Sequence, residues 1–132
     1  MDRPKLRNRN VIYPELSYRI IGVLFEVWNT IGSNHKEKFY QKAIANDFSE
    51  ADLDFKEQLP VKMVYKGKTI GIYYFDFLIE GKIILEIKVR DYFSKQDINQ
   101  LYSYLKAKNL KLGLITHFTK TGVKVKRVVN IK

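Results

Sequence analysis

The stretch from Tyr73 to Val89, YYFDFLIEGKIILEIKV, decides the fold because apolar and charged residues alternate along it. Side chains of a β-strand point to opposite faces in turn, so this pattern predicts two strands joined at Glu80-Gly81. Outside the turn, the even positions include three charged residues, Asp76, Glu86 and Lys88. The odd positions from 75 to 89 are apolar except at the turn, namely Phe75, Phe77, Ile79, Ile83, Leu85, Ile87 and Val89.

The length of the turn fixes which side chains share a face. The apolar positions of both strands fall on one face only if paired residue numbers add up to an even number, which requires an odd number of loop residues. A three-residue turn with Gly81 in the left-handed conformation meets this condition. The same register brings Asp76, Glu86 and Lys88 together on the opposite face, whereas a two-residue turn would separate them and divide the core.

Two carboxylates and an ammonium on one patch of a hairpin are suited to metal-dependent hydrolysis. Carboxylates held close together repel each other, and a divalent cation that binds both removes the repulsion. Oxygen ligands favour Mg²⁺ or Mn²⁺ over zinc. Such an ion polarises a phosphoryl oxygen and lowers the pKa of the attacking water, which Lys88 can orient. The alternative is a surface strand with a cross-strand salt bridge, which contributes about 0–1 kcal/mol.

The rest of the chain supplies helices and further strands around this hairpin. Apolar residues recur at helical spacing from Glu15 to Thr30, and Pro14 suits the first turn of that helix. Helices are also predicted at about 35–48 and 94–108, and strands at about 55–65, 69–79, 82–89, 112–117 and 123–129. The order ααβββαββ predicts a single α/β domain at 14–132, a mixed sheet of about five strands flanked by helices, after a flexible basic arm at 1–13.

Composition limits the classes of protein. A chain of 132 residues fits one domain, and the absence of cysteine excludes disulfides and thiolate zinc sites. Neither a signal peptide nor an apolar run near the ~18 residues that cross a bilayer is present, so a cytoplasmic protein without a membrane partner is expected. The net charge of +10 favours nucleic acid as a partner. Solubility is the alternative explanation of this charge.

The arrangement of an acid on an early helix, Asp on one strand and Glu-x-Lys on the next resembles the PD-(D/E)xK nuclease superfamily, which includes restriction endonucleases. More closely, the chain resembles the small bacterial GxxExxY proteins over about Glu15 to Asn130. The family's glycine is replaced by Asn34, a residue type that tolerates positive φ, and the superfamily's proline is replaced by Phe75. The matching segments are Glu15-Leu-Ser-Tyr-Arg-Ile-Ile-Gly22, Phe25-Glu-Val-Trp28, Ile31-Gly32, Glu37-x-x-Tyr40, Leu59-Pro-Val61, Tyr65-Lys-Gly-Lys68, Asp76, Glu86-Ile-Lys88, Gln100-x-x-x-Tyr104 and Leu112-Gly-Leu-Ile-x-x-Phe118.

The resemblance implies a restriction-endonuclease-like fold and phosphodiester hydrolysis. It adds Glu37 as the helical acid that completes the metal site of Asp76 and Glu86. It also implies that Gln100 and Tyr104, four residues apart on one helix face, lie beside the active site. The structural alternatives are a helix-dipole contact for Glu37 and a helix-packing pair for the other two.

The leading function is therefore cleavage of DNA, and less favourably RNA, with Mg²⁺ or Mn²⁺. The alternative is a non-catalytic nucleic-acid-binding or assembly module with the same fold, and a third hypothesis is a partner-binding domain of a defence or mobile-element system. The resemblance leaves a homodimer open, since many relatives of this fold dimerise to cut two strands. His35 and His117 are interpreted as incidental. A phosphate track, or a solvated strand face, is predicted from Lys120, Lys124, Lys126 and Arg127.

Overall fold

The fold is built on a five-stranded sheet whose strands lie side by side in chain order. The computed structural model describes residues 12–131. The order ααβββαββ is the predicted one, and the predicted α/β class with a mixed five-stranded sheet is confirmed. Within the described residues the helices are α1 (Pro14–Ile31), α2 (Glu37–Glu50) and α3 (Lys95–Lys108), and the strands are β1 (Phe55–Tyr65), β2 (Lys68–Ile79), β3 (Ile83–Lys88), β4 (Leu112–Phe118) and β5 (Val123–Val129).

The sheet is mixed because one connection crosses over it. β1, β2 and β3 form an antiparallel meander, and β4 and β5 form an antiparallel pair. β3 and β4 are parallel, and α3 makes the crossover between them that parallel neighbours require. Among residues 12–131, no helix combines the length and the apolar character that crossing a membrane would need.

Helices cover both faces of the sheet and bury two apolar clusters. The first cluster lies under α1 and α2, where Ile20 and Ile44 pack with Leu85 of β3. The second lies under α3, where Leu101 and Leu105 pack with strand residues of the other face. Because both faces of β3 and β4 are covered, these strands are buried almost throughout.

The β2–β3 turn has the predicted register. Phe77 pairs with Leu85 and Ile79 pairs with Ile83, which leaves three loop residues. Gly81 has a φ of 65°, in the left-handed region as predicted. The preceding Glu80 also has a positive φ of 55°.

The predicted single apolar face is wrong at Phe75. Phe77 packs in the first cluster, whereas Phe75 packs in the second, on the side of α3. The pairing of β1 with β2 passes from Glu57↔Phe77 to Leu59↔Phe75, and the intervening Gln58 has a φ of 55°. This left-handed residue interrupts the alternation of β1 opposite Asp76, so the hairpin changes faces there without changing register.

The predicted basic arm at residues 1–13 lies outside the described residues, except for Ile12 and Tyr13. These two residues are partly buried and pack against the first cluster. The backbone carbonyl of Ile12 accepts a hydrogen bond from Arg127 at 2.9 Å. The chain is therefore in contact with the core before α1 begins at Pro14.

Candidate active site

The backbones of β2 and β3 separate at Asp76 and Glu86. From this point the two strands are joined by hydrogen bonds to these two carboxylates instead of by hydrogen bonds between their backbones. The ladder between these strands ends at the pair Phe77↔Leu85. Beyond it, Oε1 of Glu86 accepts a hydrogen bond from the backbone N–H of Asp76 at 3.2 Å. Oδ2 of Asp76 accepts one from the backbone N–H of Ile87 at 2.7 Å. Each carboxylate is thus held by the backbone of the opposite strand.

Glu86 is buried and surrounded by donors. Its side chain lies in β3 with only 4% of the residue exposed. Besides the Asp76 N–H, its Oε2 accepts a hydrogen bond from the hydroxyl of Tyr73 and lies 3.5 Å from Nζ of Lys88. Burial and this hydrogen bond to Glu86 raise the pKa of Tyr73, so the hydroxyl stays a donor. Glu86 is therefore fixed in position by three groups.

The pKa of Asp76 is raised by its position in the pair. Burial, followed by the charge of Glu86, raises the pKa of Asp76 to about 8, although the hydrogen bond from Ile87 opposes the shift. The pair of carboxyl groups therefore retains a proton to higher pH than two separate carboxyl groups would, which relieves the repulsion between them. A bound divalent cation would replace that proton.

Glu37 lies near the pair but is not joined to it. It begins α2, and its side chain is exposed. Partial desolvation raises its pKa, the charge of Lys88 opposes the shift, and the charge of Glu86 adds to it. Within residues 12–131, no three His, Cys, Asp or Glu side chains approach closely enough to form a ready metal site. Asp76 and Glu86 thus form a pair, and Glu37 stands outside it.

The donor chemistry of this pair fits a hard divalent cation. Mg²⁺ is commonly held by one or two carboxylates, with water and substrate phosphate completing its coordination. Asp76 and Glu86 supply two carboxylates. Burial, and after it the charge of Glu86, raises the pKa of Asp76, and a bound cation would offset both effects. A third protein ligand is therefore not essential to the fit.

Gln100 and Tyr104 lie on α3, one layer away from the carboxylates. Nε2 of Gln100 is 4.0 Å from Sδ of Met63, on β1. The ring of Tyr104 packs on Phe75 with centroids 4.9 Å apart, and Phe75 in turn packs on Tyr73 at 5.0 Å. An aromatic row therefore connects Tyr104 to the residue that binds Glu86.

The basic residues predicted as a phosphate track do not all point the same way. Lys120, Lys124 and Lys126 are exposed. Arg127 is partly buried, and it is bonded to the backbone of Ile12 on the side of the first cluster. Since side chains alternate along β5, Lys124 and Lys126 lie on the opposite side from Arg127.

Two residues near the site escaped the sequence pattern. Tyr73 is at an odd position, so strict alternation would place its side chain on the face of the sheet opposite Glu86. The change of face next to Gln58 places it on the same face as Glu86 instead. The sequence gives no role to His117, yet it pairs with Lys88 across β3 and β4 and is fully buried against the ring of Phe93. Burial, then the charge of Arg90, lowers the pKa of His117 to about 4.

Comparison with known proteins gives a consistent result. A family model of the PD-(D/E)XK nuclease superfamily matches residues 14–128. The crystal structure of SSO0001 is similar, with a TM-score of 0.51 and 16% sequence identity over 70% of this chain and 50% of that one. The match spans half of the length of SSO0001, and at this identity it supports the fold alone. No curated protein matches the chain.

Proposed function

Because this chain belongs to the PD-(D/E)XK nuclease superfamily, we propose that it is a metal-dependent nuclease that hydrolyses phosphodiester bonds in DNA. The observation that carries the proposal is the pair of carboxylates at the opening between β2 and β3. Asp76 and Glu86 are each bonded to the other strand, and Nζ of Lys88 is 3.5 Å from Glu86. The net charge of +10 supports a polyanionic substrate.

The residues of the site have separate roles in this proposal. Asp76 and Glu86 would hold Mg²⁺ or Mn²⁺, and such an ion supplies charge neutralisation and a more acidic attacking water. Lys88, two residues from Glu86 on the same strand, would orient that water and offset negative charge on the phosphoryl oxygens. Tyr73 is a positioning residue, because it holds the Glu86 carboxylate by a hydrogen bond.

Six further residues complete the proposed site. Glu37 faces the charges of Lys88 and Glu86 from the start of α2 and would bind the metal through its exposed carboxylate or through water. Gln100 and Tyr104 would contact the substrate rather than the metal, since Met63 and Phe75 are their contacts in the fold. Lys120, Lys124 and Lys126 would hold more distant phosphates.

The finer assignment to the GxxExxY proteins is also a proposal. It is supported by the ordered motif segments from Glu15 to Phe118. It is supported too by Asn34, which has a φ of 68° where the family has glycine, because asparagine is among the few residue types that adopt this conformation readily.

The test is a cleavage panel of duplex, single-stranded and branched DNA, together with RNA, in Mn²⁺ and in Mg²⁺. Lys88→Ala should lower cleavage by at least about a hundredfold, the usual cost of losing a group that stabilises developing charge. Lys42→Ala, an exposed lysine of α2, is the matched control and should cleave like the unaltered protein. Equal cleavage by the two variants would refute the assignment of Lys88.

A second candidate function is a nucleic-acid-binding module without catalysis. It is favoured by the net charge of +10, because affinity for a polyanion accounts for this charge without any cleavage. Two results together would select this function over nuclease activity. The protein would bind members of the panel without cleaving any of them, and calorimetry would detect no Mn²⁺ binding that depends on Asp76, as judged with Asp76→Ala.

A further inference from the structure

The β1–β2 hairpin extends beyond the point where β2 leaves β3, and a groove lies between this extension and α3. β2 pairs with β3 only through residues 77–79, whereas its pairing with β1 continues to Tyr65↔Lys68. We call residues 59–74 the hairpin arm. The groove has a volume of about 1040 Å³, which is at the upper end of the roughly 300–1,000 Å³ of ligand-binding pockets.

The walls of this groove are largely apolar but carry polar groups along one side. Val61 and Met63 of the arm face Tyr104 of α3 across it, while Asn99 and Ser103 supply hydrogen-bonding groups. Met63 is 43% exposed, which is high for a large apolar side chain beside a cleft. Apolar surface gathered in this way is typical of a binding site.

The charge of both walls identifies the kind of ligand. Neither residues 60–75 nor residues 98–108 contain an aspartate or a glutamate. The same two segments carry five lysines, and Lys62 and Lys108 line the groove itself. An apolar floor between cationic edges is complementary to a ligand with apolar faces and negative charges at regular intervals. The lysines of the two segments are Lys62, Lys66, Lys68, Lys106 and Lys108.

Contacting aromatic rings connect the groove to the carboxylate pair. Tyr104 lines it, packs on Phe75, and is connected through Phe75 to Tyr73, whose hydroxyl binds Glu86. A ligand in the groove is therefore separated from the proposed active site by a single row of aromatic rings.

We propose that this groove binds a single strand of DNA and delivers it to Asp76 and Glu86. The bases lie against the apolar walls and the phosphates face the lysines, as in other single-strand-binding grooves. In a duplex the apolar faces of the bases are stacked on one another and only their edges are exposed in the grooves, so the apolar walls would make less contact with the bases. The choice of DNA rests on the proposed nuclease function, whereas the preference for a single strand rests on the groove.

The test is fluorescence anisotropy in EDTA, with a fluorescein-labelled oligothymidylate and a labelled duplex of the same length. The single strand should bind more tightly than the duplex. Asn99→Glu places a carboxylate in the groove and should weaken binding of the single strand about tenfold or more. Asn46→Glu, at an exposed asparagine of α2, adds the same charge away from the groove and should leave binding unchanged.

A second variant keeps the test independent of the folding of α3. Met63→Glu alters the opposite wall, on β1, and should weaken binding in the same way. Lys62→Ala should reduce the slope of log affinity against log salt by about 0.7, the value for one phosphate contact with a single strand. Thermal unfolding of each variant shows whether a loss of binding reflects a loss of fold.

Several outcomes would overturn the proposal. These are equal or tighter binding of the duplex, tighter binding of oligouridylate than of oligothymidylate, and unchanged binding by both groove variants. The proposal would also fail if light scattering showed that the groove variants change the oligomeric state while their DNA binding is unchanged. In that case the groove would hold a second copy of the chain.

The two proposals fail in different ways. If Lys88→Ala abolishes cleavage but Asn99→Glu binds the single strand normally, the groove is wrong and the nuclease assignment stands. If Asn99→Glu loses binding but no substrate is cleaved in Mn²⁺, the groove stands and the catalytic assignment is wrong.

Discussion

Replacing Asp76 by asparagine should make the metal-free protein more stable at slightly alkaline pH. Asparagine has nearly the same shape as aspartate, and its side-chain oxygen can still accept the hydrogen bond that Ile87 donates to Asp76. Its amide group is neutral and can donate to Glu86. The substitution therefore removes the repulsion between the two carboxylates while it keeps the link between β2 and β3.

The magnitude follows from the pKa of Asp76, which is about 8 in the folded protein and 3.8 ordinarily. Between these values the native state retains a proton that the unfolded chain has released, so the free energy of unfolding decreases as pH rises. A separation of roughly four pH units at about 1.4 kcal/mol per unit amounts to on the order of 5 kcal/mol. Asp76→Asn should lose most of this decrease.

The assay is urea unfolding in EDTA at a series of pH values from about 4 to 8, followed by the fluorescence of Trp28, the single tryptophan. Mn²⁺ or Mg²⁺ added at the upper end should restore the stability of the unaltered protein and have little effect on Asp76→Asn. Asp54→Asn, at an exposed aspartate, is the control and should follow the unaltered protein. Parallel pH profiles of the unaltered protein and Asp76→Asn would refute the reasoning.

Three other substitutions test the packing around the site. Gly113→Ala should lower the free energy of unfolding by about 1–3 kcal/mol, because a Cβ there would lie 2.6 Å from the buried side chain of Leu101; an unchanged urea midpoint would contradict this. Tyr73→Phe removes a hydrogen-bond donor from Glu86, so it should lower the free energy of unfolding by about 1–2 kcal/mol and slow cleavage. A loss of stability with unchanged cleavage would show that the hydroxyl has only a structural role. His117→Leu should reduce the loss of stability between pH 6.5 and about 4 by on the order of 3 kcal/mol, because folding keeps His117 neutral there while the unfolded chain takes up a proton. Identical acid unfolding profiles would argue against it.

The sequence was sufficient to predict the elements, their order and the register of the central hairpin. The register follows from a simple constraint, because only an odd loop keeps the apolar residues around Leu85 together. That constraint also brings Asp76 beside Glu86, and the observed hydrogen bonds between their strands agree with it. Asn34 adopts the positive φ that its place in the motif suggested.

The features that could not be predicted depend on backbone conformation or on tertiary contact. Gln58 has no sequence signal for a left-handed conformation, which usually selects glycine or asparagine. Arg127 looks like one of several basic residues in β5, and only the fold brings it to the carbonyl of Ile12. His117 is buried because α3 and the segment before it cover its face of the sheet, a contact that strand alternation does not reveal.

The left-handed residue Gln58 links the active site to the groove. A non-glycine residue in this conformation costs about 1–3 kcal/mol and persists only where the surrounding structure enforces it. Here it lies opposite Asp76, and beyond it the hairpin presents Leu59 and Val61 toward α3 instead of toward the first cluster. The same change of face brings Tyr73 to the carboxylate of Glu86. With regular alternation in both strands at this point, the arm would lose its apolar wall and Glu86 would lose a donor. The change of face at Gln58 and Asp76 therefore serves both parts of the proposed substrate path.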